Sequence, residues 1–361
     1  MILKPFVLTI TILGLVGITG VSRGSHLVTL QPIDTHYCAS YDAMQEEEVQ
    51  QDLKQTFEEL VEETTELFGG TGFTNSLTPQ NLNLIGYSTY GADEGQSVSL
   101  DYYTHHGGSQ GESIPARFFV LLDEQQIPGI VNSTDEYFHD EVLEKGEITH
   151  LSIELPPLER GIHNITVMGV PYAEDHPQMT NAHDISMLTQ RITIIAGEDA
   201  VEVEHHQYTY LPAFAYIRDN APALRVMFTL DETLDSWNYP ELTLPVEPDS
   251  PLNFTIKAGY QPGNPGGSEV AQFAILLLQD YRQIPISPET DVFYGEVDSE
   301  TAYAEIPVTL TTPLKTGKHD LIAIRIYSPA YALCDVLAVP ERQIIEVWAE
   351  RVAIEVVEAP Q

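Results

Sequence analysis

Two cysteines, Cys38 and Cys334, are all that this chain of 361 residues carries. With no C-x-x-C spacing they exclude a thiolate metal site and a scaffold built on disulfides, and leave open whether the two pair. Positive charge is as scarce: 16 Lys plus Arg stand against 54 Asp plus Glu, a formal net charge of −38 at pH 7. A surface of that sign repels phosphate, which excludes nucleic acid as a partner and disfavours anionic lipid. Cations, basic partners or a salty medium suit it better, because screening over about 8 Å relieves only part of the self-repulsion. Beyond residue 23 no run is long and apolar enough for a membrane-spanning helix, which needs about 20 residues. Catalytic signatures are missing too: there is no G-x-S-x-G elbow, no H-E-x-x-H pair and no G-x-x-x-x-G-K-[ST] phosphate loop. Carboxylates are so abundant that no glycosidase-like pair stands out, and the expectation is a protein that is not an enzyme.

What the chain does have begins with Lys4, an apolar run from Phe6 to Val21, and Ser22-Arg23. A charged start, an apolar middle and small residues near the end give residues 1–23 the form of an export signal or membrane anchor. The rest of the chain is therefore expected outside the cytoplasm, secreted or held to the membrane by its N-terminus. Residues 40–69 read as an acidic helix, with Leu53, Phe57, Leu60, Thr64 and Leu67 on one stripe and glutamates crowding the rest. Gly69-Gly70 ends it, and residues 71–81 read as linker, closing a segment at 40–81.

A duplication organises the remainder. Pro157-Leu158-Glu159-Arg160-Gly161-Ile162-His163 returns as Pro313-Leu314-Lys315-Thr316-Gly317-Lys318-His319, and Pro157, Gly161 and His163 all reappear 156 residues later. Ala116 to Leu122 matches Ala271 to Leu277 at an offset of 155, and Gln126-Ile127-Pro128 matches Gln283-Ile284-Pro285 at 157. Arg191 and Ile194 align with Arg342 and Ile345 at 151, which implies five residues lost from the second copy before its last strand. Short alternating runs lie near 83–90, 96–104, 116–122, 127–131, 148–155, 163–170 and 189–196. They recur near 242–246, 252–258, 271–278, 284–287, 302–310, 319–327 and 342–348. The fold class is mainly β: two tandem antiparallel sandwiches at 82–198 and 241–348, joined by a ribbon or linker at 199–240 and followed by an edge strand or tail at 349–361. With 43% hydrophobic residues the chain can fill both cores.

The repeated corner and the seven-strand rhythm resemble tandem immunoglobulin-like modules of prokaryotic exported and cell-surface proteins, without the Cys…Trp…Cys core of antibody domains. What the resemblance implies is adhesion, spacing or scaffold work, with other cell-envelope proteins or glycans as partners. In the corner itself, Gly161 and Gly317 supply permissive backbone, and His163 and His319 are expected to hydrogen-bond the turn.

One asymmetry between the copies points to chemistry. Two loops expected at one end of the first sandwich hold His105, His106, Asp175, His176, His183 and Asp184, whereas the matching loops of the second hold no histidine. Imidazole with carboxylate is a ligand set for a divalent cation, so the alternative to a non-catalytic spacer, scaffold or adhesion element is a metal-ion or glycan site there. No other cofactor is expected.

Overall fold

The computed structural model describes residues 57–68, 72–86, 88–108, 111–173, 188–197, 209–210, 226–229, 244–259, 270–298, 303–313, 315–327 and 347–358. Residues 1–23, the first part of the expected helix, both cysteines and Asp175, His176, His183 and Asp184 lie outside them. Among the described residues no helix is long and apolar enough to cross a membrane.

Helix α1 (Phe57–Phe68) is followed by β1 (Phe73–Pro79), β2 (Asn83–Gly86), β3 (Thr89–Ala92), β4 (Ser99–His106) and β5 (Ser113–Leu122). Then come β6 (Gln125–Ile127), β7 (His139–Glu144), β8 (Ile148–Glu154), β9 (Gly161–Pro171) and β10 (Leu188–Ala196). Strands β1, β4 and β8 make a small sheet. The large sheet runs β2-β3-β10-β9-β5-β6, with β7 also on β5. Consecutive strands β4–β5 and β8–β9 change sheets, the crossover pattern of an immunoglobulin-like sandwich.

The second half repeats this with β11 (Thr209–Tyr210), β12 (Val226–Thr229), β13 (Leu244–Val246), β14 (Pro251–Gly259) and β15 (Val270–Gln279). It continues with β16 (Arg282–Ile284), β17 (Val292–Asp298), β18 (Tyr303–Thr311), β19 (Gly317–Tyr327) and β20 (Val347–Val356). Its small sheet is β12-β14-β18 and its large sheet β11-β17-β15-β19-β20-β13, with β16 also on β15. In both halves a short strand runs parallel to the last one, β3 beside β10 and β13 beside β20.

Alternation along each strand fills the cores. Leu100, Tyr102, Phe118, Val120, Ile165, Val167, Ile192 and Ile194 are buried in the first. Phe254, Ile256, Phe273, Ile275, Leu277, Leu321, Val352 and Ile354 are buried in the second. The opposite faces of the large sheets are apolar as well. Phe119, Leu121, Met168, Val170 and Ala173 of the first half join Ala274, Leu276, Leu278, Tyr281, Val292, Ile322, Ile324 and Ile326 of the second in one buried cluster. The two large sheets pack on each other, and β5, β9, β15 and β19 are covered on both faces. That double burial is why Phe118-Phe119-Val120-Leu121 and Ala274-Ile275-Leu276-Leu277 read as unbroken apolar runs.

Several expectations need correction. The segment expected as linker at 71–81 contains β1, which pairs with β4, so the first sandwich begins before residue 82. The run expected as one strand at 83–90 is two, β2 and β3, paired with a register shift between Leu84 and Gly86. Within the expected ribbon at 199–240, β11 and β12 belong to the sheets of the second half. The last strand of that half also moves. Ile194 lies opposite His163 in β10–β9, and Ile354, not Ile345, lies opposite His319 in β20–β19. The matched offset is therefore 160 (Ile194 to Ile354), so the second copy has gained four residues here relative to its 156-residue corner. The physical reason is that strand-like patterning does not by itself fix which residues of a run meet a given partner, and most of the expected run at 342–348 lies outside the described residues. The expected edge strand at 349–361 is in fact held between β19 and β13.

Candidate functional site

The repeated corner builds the same lock twice. The β5–β6 hairpin turns on Asp123 and Glu124 with φ of 49° and 62°, and the β15–β16 hairpin on Asp280 and Tyr281 with φ of 50° and 65°. Positive φ at both central residues is the two-residue turn that matches strand twist, and aspartate tolerates it better than most residues. Each aspartate then reaches the start of the next long strand. Asp123 accepts the Asn164 backbone N–H at 2.8 Å and His163 Nδ1–H at 2.7 Å, while His163 Nε2–H donates to the Glu159 carbonyl at 2.8 Å. In the second half Asp280 accepts the Asp320 N–H at 3.0 Å and His319 Nδ1–H at 2.6 Å, and His319 Nε2–H donates to the Lys315 carbonyl at 2.8 Å.

Both nitrogens of each ring face an oxygen, so each ring ties a hairpin aspartate to the carbonyl of its own corner. Burial disfavours the charged form of His163, but the Asp123 hydrogen bond and charge, with the Glu159 carbonyl, outweigh it and raise its pKa. The sequence pointed at these histidines and missed their aspartates, which sit about 40 positions upstream. The glycines differ: Gly317 has φ +128°, whereas Gly161 is not in the left-handed region. Only the second corner uses glycine's conformational freedom.

Next to each lock, the second turn residue enters the seam between the large sheets. Glu124 is 3% exposed and accepts the Tyr294 hydroxyl from the other sandwich at 3.2 Å. Burial pushes its carboxyl up to about 8, against the charge of Arg191. Tyr281, the matched residue, donates its hydroxyl to the Ala173 carbonyl at 3.2 Å and meets the Phe138 ring edge-on. Arg351 reaches the same place from β20: it donates to the Ala173 carbonyl at 2.9 Å and to buried Asp320 at 2.8 Å. Arg117 grips Asp140 with two bonds of 2.6 and 2.8 Å and lays its guanidinium between the rings of Phe138 and Tyr281, at 4.0 and 4.7 Å. At the rim Arg282 donates to both oxygens of Asp135 across the halves. The charged groups named here thus each have a partner within the protein, which is cohesive chemistry.

Of the expected cation site, the described residues include His105 and His106. His105 and His106 are neighbours in β4, and their imidazoles take opposite faces of the small sheet. His106, 1% exposed, stacks on the core-packed Phe73 at 5.2 Å and its Nε2 meets the Gly111 carbonyl at 3.1 Å. His105 sits on the outer face in the row beside Thr74 and Ile148, and burial lowers its pKa. Asp175, His176, His183 and Asp184 lie outside the described residues. Among those described, no group of three or more His, Cys, Asp or Glu side chains could hold a metal ion.

On that outer face Tyr103 stacks between Phe57 of α1 at 5.6 Å and His150 at 4.7 Å, and His150 Nε2 bonds Asp101 at 2.6 Å. An apolar residue at the start of an acidic helix thus docks it on the sheet.

No family model matches the chain, and no curated protein does. Solved structures similar to it include the CARDB domain of a Pyrococcus furiosus protein in complex with di-metal ions, at 10% identity and TM-score 0.23 over 35% of this chain and 96% of that one. Fibronectin(III)-like modules of Clostridium thermocellum CbhA match at 10% identity and TM-score 0.18, over 79% and 95%. Red sea bream transglutaminase matches at 9% and 0.21, over 81% and 33%. The assignment of immunoglobulin-like sandwiches stands on the strand order given above, and likenesses at these scores say nothing of activity.

Proposed function

We propose that this is an exported, non-catalytic protein of the cell envelope in which two immunoglobulin-like sandwiches act as one stiff spacer, scaffold or adhesion element. The observation that carries the reading is the seam: the ionisable side chains Glu124 and Arg351 are buried and bond across the halves, to the Tyr294 hydroxyl and the Ala173 carbonyl, beside a shared apolar cluster. A stiff paired unit suits spacing and presentation, with envelope proteins or glycans bound on outer faces. The apolar run within residues 1–23 supports export, and the surplus of carboxylates suits a cation-rich exterior. Fractionating cells that make the full chain, with protease shaving of intact cells, tests the location. Recovery of the protein only in the cytoplasm overturns it. Hydrolysis of a glycan or peptide panel by the purified chain would overturn the non-catalytic part. A rise in melting temperature with zinc or calcium would favour the alternative site at His105, His106 and the loop residues 175–184.

A further inference from the structure

Three N-x-[ST] sequons occur in the chain, at Asn132-Ser133-Thr134, Asn164-Ile165-Thr166 and Asn253-Phe254-Thr255. Their surroundings are unlike. Asn132 stands exposed at a turn with φ +58°, a conformation asparagine adopts readily. Thr134 is held in place there by accepting the Asp140 backbone N–H at 2.9 Å. Asn253 is exposed on the outer face of β14, and its Oδ1 accepts the Thr309 hydroxyl at 2.6 Å, a bond that leaves the amide nitrogen pointing elsewhere. Asn164 is only 5% exposed; its Oδ1 accepts the Thr193 hydroxyl at 2.9 Å and its Thr166 is 2% exposed. A glycan at Asn164 would have to pass between β9 and the packed second sandwich.

We propose that Asn132 and Asn253 are N-glycan acceptors and that Asn164 is not, an inference that rests on the export reading. In the transfer the Asn Nδ2 forms the new bond to the anomeric carbon of a sugar carried on a polyisoprenyl pyrophosphate lipid. The sugar–phosphate C–O bond breaks, the lipid pyrophosphate leaves, and the amide gives up one proton. Both acceptors sit away from the apolar seam: Asn132 on the loop that sends Asp135 to Arg282, and Asn253 on the far face of the second small sheet. Sugars there would hydrate outer surfaces without disturbing the packing.

The matched positions supply a control. Asn164 corresponds to Asp320 in the second copy, so the fold already accepts an aspartate at that place. The test is glycopeptide mapping of the full chain purified from the outside of the cells that make it, alongside N132D, N253D and N164D. Expected are glycan mass on the Asn132 and Asn253 peptides, a faster gel band for N132D and for N253D, and no shift for N164D. Bare Asn132 and Asn253 in protein recovered outside the cell overturn the inference and leave export standing. Glycan on Asn164 of folded protein overturns the structural selection, and recovery from the cytoplasm alone overturns both readings.

Discussion

Gln126 and Gln283 exchange hydrogen bonds across the seam: Gln283 Oε1 accepts the Gln126 backbone N–H at 2.6 Å, and Gln126 Oε1 accepts that of Gln283 at 2.7 Å. The amides are reciprocal too, Gln126 Nε2 donating to the Tyr281 carbonyl at 2.8 Å and Gln283 Nε2 to the Glu124 carbonyl at 3.2 Å. Residue i meets j and j meets i, as in a two-fold homodimer, here within one chain. Replacing either glutamine by alanine strands a backbone N–H and should cost about 1–3 kcal/mol. Urea denaturation of both single variants and the double variant checks this; losses below about 0.3 kcal/mol would show the exchange to be incidental.

The ion pair of Arg351 and Asp320, both side chains 2% exposed, should be sensitive to the loss of one partner. Asp320→Ala leaves a buried guanidinium and should cost about 3–5 kcal/mol. Asp320→Asn should cost less, because its amide oxygen can still accept from Arg351 and the first sandwich carries Asn164 at this position. Equal losses in the two variants would contradict that ordering in a denaturation series.

Glu124 makes the seam pH-dependent. Its carboxyl is raised to about 8 from an ordinary 4.5, so the folded protein holds a proton that the unfolded chain has released between those values. The contribution of Glu124 to stability is therefore full below about pH 4.5, falls as pH rises to about 8, and is level beyond. Glu124→Gln mimics the protonated form and should match the parent in acid while gaining on it by a few kcal/mol near pH 9. Parallel pH–stability curves for the two proteins would contradict the assignment.

His163 acts in the same direction. With its pKa raised above 6.5, it contributes stability that is complete below pH 6.5 and is lost as pH climbs through the folded value. Asp123→Asn removes the charge that holds the proton, and should flatten this part of the curve and lower stability most at pH 6. NMR titration of the imidazole in parent and variant measures the shift directly; an unchanged midpoint would show that Asp123 is not its cause.

How much of this was legible can be argued residue by residue. The corner histidines and the strand rhythm were, because a repeated P-L-x-x-G-x-H and period-two alternation are local. The lock partners Asp123 and Asp280 were hidden, since a hairpin tip and a strand about 40 residues on meet only in three dimensions. The seam has a signal in the sequence: Phe118 to Leu121 and Ala274 to Leu277 are apolar at both parities, which alternation for a single core does not require. Strand β7, His-Asp-Glu-Val-Leu-Glu, has little strand signal because it is charged and buries only Leu143 fully. At the His-rich end, His105 and His106 are adjacent in sequence, but a strand sends adjacent side chains to opposite faces, which a list of residue types does not show.

The most direct measurement separates the halves covalently. A protease site placed between β10 and β11, within residues 198–208, is cut in the purified full-length protein, and the product is run on size-exclusion chromatography with light scattering. Two sandwiches joined by a buried seam of 13 apolar residues should stay together as a one-to-one pair with the mass of the uncut chain. Two separate peaks of half that mass would contradict the account.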